Sequence, residues 1–138
     1  KGLSLAAVAL AAYMGIQQLE PQAPTSDGAL FATQLTGEGV PLQVLAVLDI
    51  ARGDVAVSRV AGEEAPGRVF ELWAIVPETA PVSLGVLDAG GTMRVDLPEA
   101  LRARAAEITL AISDEPTGGS PTGAPTGAVL AAAPLVEL

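Results

Sequence analysis

Arg68-Val69-Phe70-Glu71-Leu72-Trp73-Ala74-Ile75-Val76 is apolar on both faces apart from its first residue and Glu71. With a period of two, Val69, Glu71, Trp73 and Ile75 share one side of a strand, and Phe70, Leu72, Ala74 and Val76 share the other. A strand apolar on both sides belongs at the centre of a structure. Short alternating segments divided by turn residues lie on either side of it. Upstream come Leu30 to Thr36, then Leu42 to Ile50 with Leu42, Val44, Ala46, Leu48 and Ile50 on one face. Arg52-Gly53-Asp54 turns that strand into Val55 to Val60, where Val55 and Val57 share a face that Arg59 continues. Downstream, Val82 to Leu87 and Thr92 to Leu97 flank Asp88-Ala89-Gly90-Gly91, which predicts a hairpin. Pro98 to Ala106 predicts a helix, because Pro98 suits a first helical position and Glu99 complements the dipole. Glu107 to Ser113 returns to strand, and Ala128 to Ala133 is the last. Seven to eight short strands with one short helix predict an all-β fold, an antiparallel β-sandwich.

Composition narrows the chemistry. Half of the 138 residues are hydrophobic but only 3% are aromatic, so Val, Leu, Ile and Ala must build the core around Trp73, Phe31 and Phe70. One domain of this length buries a core without staples. Cysteine and histidine are both absent. That removes thiolate nucleophiles, the Ser-His-Asp triad and the commonest metal ligands. The net charge of −9 repels a polyanion, and no basic stripe offsets it, so no nucleic-acid partner is expected. No metal, cofactor or catalytic set is expected either.

The chain opens on Lys1 rather than Met, which reads as a fragment or a processed product. Gly2 to Leu19 is uncharged and rich in Ala and Leu, which predicts an apolar helix over residues 1–19. Its length suits most of a transmembrane span cut at its cytoplasmic end, with Lys1 in front and Glu20 behind. A signal-peptide core, a helix packed on the domain's own sheet and a helix in a homo-oligomer contact are the competing readings. Residues 20–28, with Pro21 and Pro24, form an extended linker. The compact domain occupies residues 29–138.

Ser113-Asp114-Glu115-Pro116-Thr117-Gly118-Gly119-Ser120-Pro121-Thr122-Gly123 follows a strand and does not close in one short turn. Pro116 and Pro121 fix φ, and Gly118 and Gly119 permit positive φ, so the segment is a shaped connection between the last two strands. Glu71 and Glu115 are its associated carboxylates. Glu71, amid apolar neighbours, must be paired or hydrogen-bonded. The choices are a ligand or partner anchor, an acid with a raised pKa, an ion pair with an arginine, or a cap for amides near Gly118 and Gly119. Trp73 is either a platform for sugar rings or the core's largest plug, with its N–H on a loop carbonyl. Paired carboxylates suit glycoside hydrolysis, but a sugar groove wants more aromatics than this chain holds. A calcium loop would need denser ligands, and a phosphate cradle a following helix or a lysine.

Three segments occur in order: Phe70-Glu71-Leu72-Trp73-Ala74-Ile75, Pro81-Val82-Ser83-Leu84-Gly85-Val86-Leu87, and Ile112-Ser113-Asp114-Glu115-Pro116-Thr117-Gly118-Gly119-Ser120-Pro121. Together they resemble the C-terminal extracytoplasmic domain of anti-sigma-K factors of the RskA type. The resemblance runs from about Ala29 to Leu138. It marks Glu71, Leu72, Trp73, Gly85, Glu115, Pro116, Gly118, Gly119 and Ser120 as structural or partner-binding positions. It implies a bacterial single-pass protein of the cytoplasmic membrane, with residues 20–138 outside. An N-terminal segment absent from this chain would hold an extracytoplasmic-function sigma factor. Envelope proteases would release that factor. A secreted or surface-anchored module for a glycan or protein is the alternative, and an open reading frame with only a signal peptide before Lys1 would favour it.

Overall fold

The computed structural model describes residues 28–138. The helix and span expected over residues 2–19, and the linker up to residue 27, lie outside the described residues. Among the described residues no helix is long and apolar enough to cross a membrane.

The strands are β1 (Leu30–Thr36), β2 (Gln43–Asp49), β3 (Asp54–Ala61), β4 (Arg68–Ile75), β5 (Val82–Val86), β6 (Thr92–Asp96), β7 (Thr109–Pro116), β8 (Val129–Pro134) and β9 (Val136–Glu137). They form a five-stranded sheet ordered β6-β3-β2-β1-β9 and a four-stranded sheet ordered β5-β4-β7-β8. Neighbouring strands run antiparallel throughout. The all-β sandwich expected from the sequence is therefore the observed architecture, with nine strands among the described residues.

Period-two alternation decides the core. Leu35, Val44, Ala46, Leu48, Val55 and Val57 point inward from the five-stranded sheet. Phe70, Leu72, Ala74, Leu110 and Ile112 meet them from the other. Burying each of the larger of these side chains stabilises the fold by roughly 1.5–3 kcal/mol. β4 is central, paired with β7 over its whole length and with β5 on the other side.

Three local expectations are corrected. β5 and β6 do not form a hairpin: β5 pairs with β4, whereas β6 pairs with β3 in the opposite sheet. The turn signal over residues 88–91 is real but crosses between sheets. Leu87 stays bonded to Phe70 of β4, while Met93 and Val95 register against Val57 and Val55 of β3. The predicted helix over residues 98–106 splits into α1 (Glu99–Arg102) and a 3-10 turn (Ala105–Glu107), because Arg104 leaves helical backbone at φ −118, ψ 31. β7 begins later and runs further than expected, keeping Asp114, Glu115 and Pro116 in register with Phe70, Val69 and Arg68. The segment after it joins two antiparallel neighbours of one sheet, β7 and β8, as a long hairpin excursion.

β9 has no counterpart in the sequence reading. Leu135 still donates its N–H to the carbonyl of Ile108, the residue before β7, and Val136 and Glu137 then pair with Ala32 and Phe31 of β1. The chain thus passes from one sheet to the other and closes that side of the sandwich. Glu38 N–H donating to the Leu130 carbonyl ties β8 to the turn after β1 on the same side.

Candidate functional site

The outer face of the four-stranded sheet carries the chemistry. Register places Glu71 opposite Ser113, Trp73 opposite Ala111 and Val69 opposite Glu115. Such a face would ordinarily meet water, yet Trp73, Ser113 and Glu115 are fully buried and Glu71 nearly so. The excursion over residues 117–128 folds back across them.

Two carboxylates hold it there. Glu71 Oε1 accepts the Ser120 N–H at 2.6 Å, and Glu71 Oε2 accepts the Ser83 hydroxyl. Ser83 is delivered by a bulge in β5: Gly85 lies opposite Leu72 and Ser83 opposite Trp73, leaving Leu84 as the extra residue. Gly85 meets the bulge at φ 117, a conformation that favours glycine. Ser83 Oγ in turn accepts the Gly85 N–H at 3.2 Å.

Glu115 is more heavily bonded. Its Oε2 accepts the Ser113 hydroxyl at 2.6 Å, the Thr126 N–H at 2.9 Å and the Gly127 N–H at 3.3 Å. Its Oε1 accepts the Thr126 hydroxyl. Trp73 Nε1–H donates to Ser113 Oγ at 2.9 Å, where the sequence suggested a loop carbonyl. The indole, the serine and the carboxylate therefore form one directed chain, from the sheet to the far limb of the loop.

The near limb has its own anchors. Gly119 N–H donates to the Pro116 carbonyl at 2.8 Å, and Thr117 Oγ1 donates to the Gly67 carbonyl at 3.1 Å. Gly118 and Gly119 both take φ 95. A Cβ on Gly119 would also stand 3.0 Å from Glu71 Oε1, so glycine serves both the turn and the close approach. Ser120 Oγ accepts the Thr122 N–H, and Thr122 Oγ1 accepts the Ala124 N–H, which stiffens the tip from within.

Of the residues marked in the sequence, Glu71, Trp73, Glu115, Gly119 and Ser120 converge here. Gly118 shapes the same turn. Gly85 acts through Ser83, and Pro116 ends β7 opposite Arg68. Leu72 faces the other way, into the core between the sheets. Sequence reasoning missed Ser83, Thr126 and Gly127. Ser83 lay within a quoted segment, while Thr126-Gly127 follows Pro125 without any marker of its own.

Burial acts most strongly on the Glu115 carboxyl and opposes ionisation. The hydrogen bonds from the Ser113 and Thr126 hydroxyls and the Thr126 and Gly127 amides together outweigh it and bring the pKa from 4.5 to about 2. Glu115 is therefore an ionised acceptor near neutrality, poorly suited to donate a proton. Among the described residues no three acidic side chains converge to hold a metal ion.

The depressed pKa sets a pH dependence. An acid whose folded pKa is lowered contributes stability fully above its unfolded pKa and loses it as pH falls through the folded one. The loop contacts of Glu115 are thus expected to weaken between about pH 4.5 and 2. Urea unfolding followed by Trp73 fluorescence across that range measures the slope. Glu115→Gln should remove this acid limb, and an unchanged limb would assign it to other carboxylates.

The geometry describes a buried clasp on a long loop, and the comparisons with known proteins say whose it is. The family model described as anti-sigma-K factor rskA, C-terminal, matches residues 2–129. No curated protein and no solved structure matches the chain. With nearly its whole length covered, the chain belongs to the family of C-terminal domains of anti-sigma-K factor RskA.

Proposed function

We propose that residues 29–138 are the extracytoplasmic regulatory domain of a membrane-anchored anti-sigma factor. The family match over residues 2–129 is the observation that carries this reading. In it, residues 2–19 cross the bacterial cytoplasmic membrane once and residues 20–28 link the span to the sandwich. The sigma factor is held by an N-terminal domain that precedes this chain. The sandwich shields the linker from an envelope protease until a signal disturbs it, and cleavage then releases the sigma factor.

The packing at the domain's entry supports this arrangement. Ile50 donates its N–H to the Ala29 carbonyl at 3.1 Å, so ordered pairing begins within a residue of the linker. A Cβ on Gly28 would stand 2.7 Å from the Ala51 amide nitrogen, so backbone lies against backbone at that junction. Residues 28 and 29 are thereby held against the sheet, which leaves a protease only the segment before them to enter.

Deleting residues 29–138 from the full-length protein tests the reading. Sigma-dependent transcription should rise in cells without the inducing signal, and immunoblots should show cleavage near residues 20–28. If reporter output and cleavage both stay at wild-type levels, the domain does not shield the linker. Glycan or protein binding through the sandwich loops, without any reporter change, would instead favour a surface-anchored binding module.

A further inference from the structure

At the end of the sandwich away from residue 28, Arg59 extends the inward face of Val55 and Val57, so its guanidinium enters the structure instead of solvent. Its side chain is only 5% exposed. It stands 5.0 Å from the centroid of the Phe70 ring, between the two sheets. A guanidinium carries five N–H donors in a fixed plane. Four have acceptors here. Nη1 donates to the Gly62 carbonyl at 3.3 Å and Glu64 Oε1 at 2.9 Å. Nη2 donates to Glu64 Oε2 at 2.9 Å and the Asp88 carbonyl at 2.7 Å. The fifth, Nε, is the one buried side-chain polar atom without a protein partner among the described residues. A buried donor left unpaired is expensive, more so on a cation.

Arg59 also lines a small, half-open pocket of about 10 Å³, together with Val57, Leu87, Asp88, Gly91 and Met93. That volume is what a single water requires. The Gly91 and Asp88 carbonyls, which already accept the Arg59 N–H and Nη2–H, each keep a second lone pair for the water's own protons. A water there has the two to four polar neighbours that internal waters need. The pocket has room for about one water and not for a larger ligand.

We propose that this cavity is a binding site for one structural water, which accepts the Arg59 Nε–H and completes the hydrogen bonding of the guanidinium. The site then joins β3, the turn after it, the β5–β6 connection and Phe70 of β4 around one hydrated cation. It clasps the side of the sandwich that β9 does not close.

Two measurements on the 138-residue chain decide it. A crystal structure at a resolution that shows solvent should contain an ordered water about 3 Å from Arg59 Nε. In solution, the Nε–Hε resonance of Arg59 should exchange slowly and show a cross-relaxation peak to water. Either a dry cavity or a protein acceptor moved onto Nε overturns the proposal. A fast-exchanging Nε–Hε signal without a water peak overturns it equally.

Discussion

Glu115→Ala is expected to lower the stability of the domain by about 3–5 kcal/mol, because it leaves several converging donors without their acceptor. The Ser113 and Thr126 hydroxyls and the Thr126 and Gly127 amides all point at this one carboxylate. The hydroxyls can rotate to new partners, but the two amides are fixed by the backbone and can be satisfied only if the loop lifts. Glu115→Gln keeps the shape and one oxygen, and its amide group can donate to Thr126 Oγ1. It should lose about 2 kcal/mol, the charge-assisted part alone. Trp73 is the reporter: in the alanine variant its emission should move toward that of an exposed indole before global unfolding. Equal and small losses in the two variants, with unchanged emission, would show that Glu115 does not hold the loop.

Gly127→Ala should cost about 3 kcal/mol by a route that needs no change of charge. A Cβ at this position would stand 1.7 Å from the Asp114 carbonyl oxygen, which no rotamer can relieve. That carbonyl is also held by Arg68 Nη2 at 3.1 Å, so the strand side cannot yield easily. The loop must rise, taking the Thr126 and Gly127 amides away from Glu115. Gly118→Ala is the matched control: its φ of 95 disfavours alanine, but no atom lies within 4 Å of the added methyl. Only the backbone penalty applies there, about 1–2 kcal/mol. Because Gly127 and Glu115 act on the same contacts, their double variant should lose less than the sum. Chemical denaturation of the wild type and the four variants measures all of these terms, and strict additivity would mean that the two positions act separately.

These residues also show what alternation conveys. The inward set from Leu42 to Leu48, the pair Val55 and Val57, and the two-faced character of β4 all follow from a period of two, which needs no knowledge of neighbours. Pairing does need it. The turn at residues 88–91 looks the same whether it joins strands of one sheet or of two, and the difference lies in which face Leu87 and Met93 must share with distant partners. Glu71 and Glu115 were legible as carboxylates that needed donors. One donor was too, the amide run beside Gly118 and Gly119, where the Ser120 N–H meets Glu71; Ser83 and Thr126 were not, since Ser83 depends on a bulge and Thr126 on a return of the chain across the sheet. Arg59 could be placed on an inward face, but its acceptors come from two segments, the turn after β3 and the β5–β6 connection, that only the fold assembles.

Leu138 donates its N–H to the Leu30 carbonyl at 2.9 Å, so the closing strand brings the last residue to the same pole as the domain's first strand residue. The Arg59 cluster sits toward the other pole: Arg59 is level with Leu35, about 17 Å from Leu30 along strands that rise roughly 3.3 Å per residue. A stimulus acting at the far pole has no contact path to residues 28–30 except the strands themselves, which are stiff and paired along their lengths. It can reach the junction only by loosening the sandwich cooperatively. A stimulus at the near pole can act by direct displacement. The two modes differ in a measurable way: the first is governed by the global stability of the domain, the second is indifferent to it.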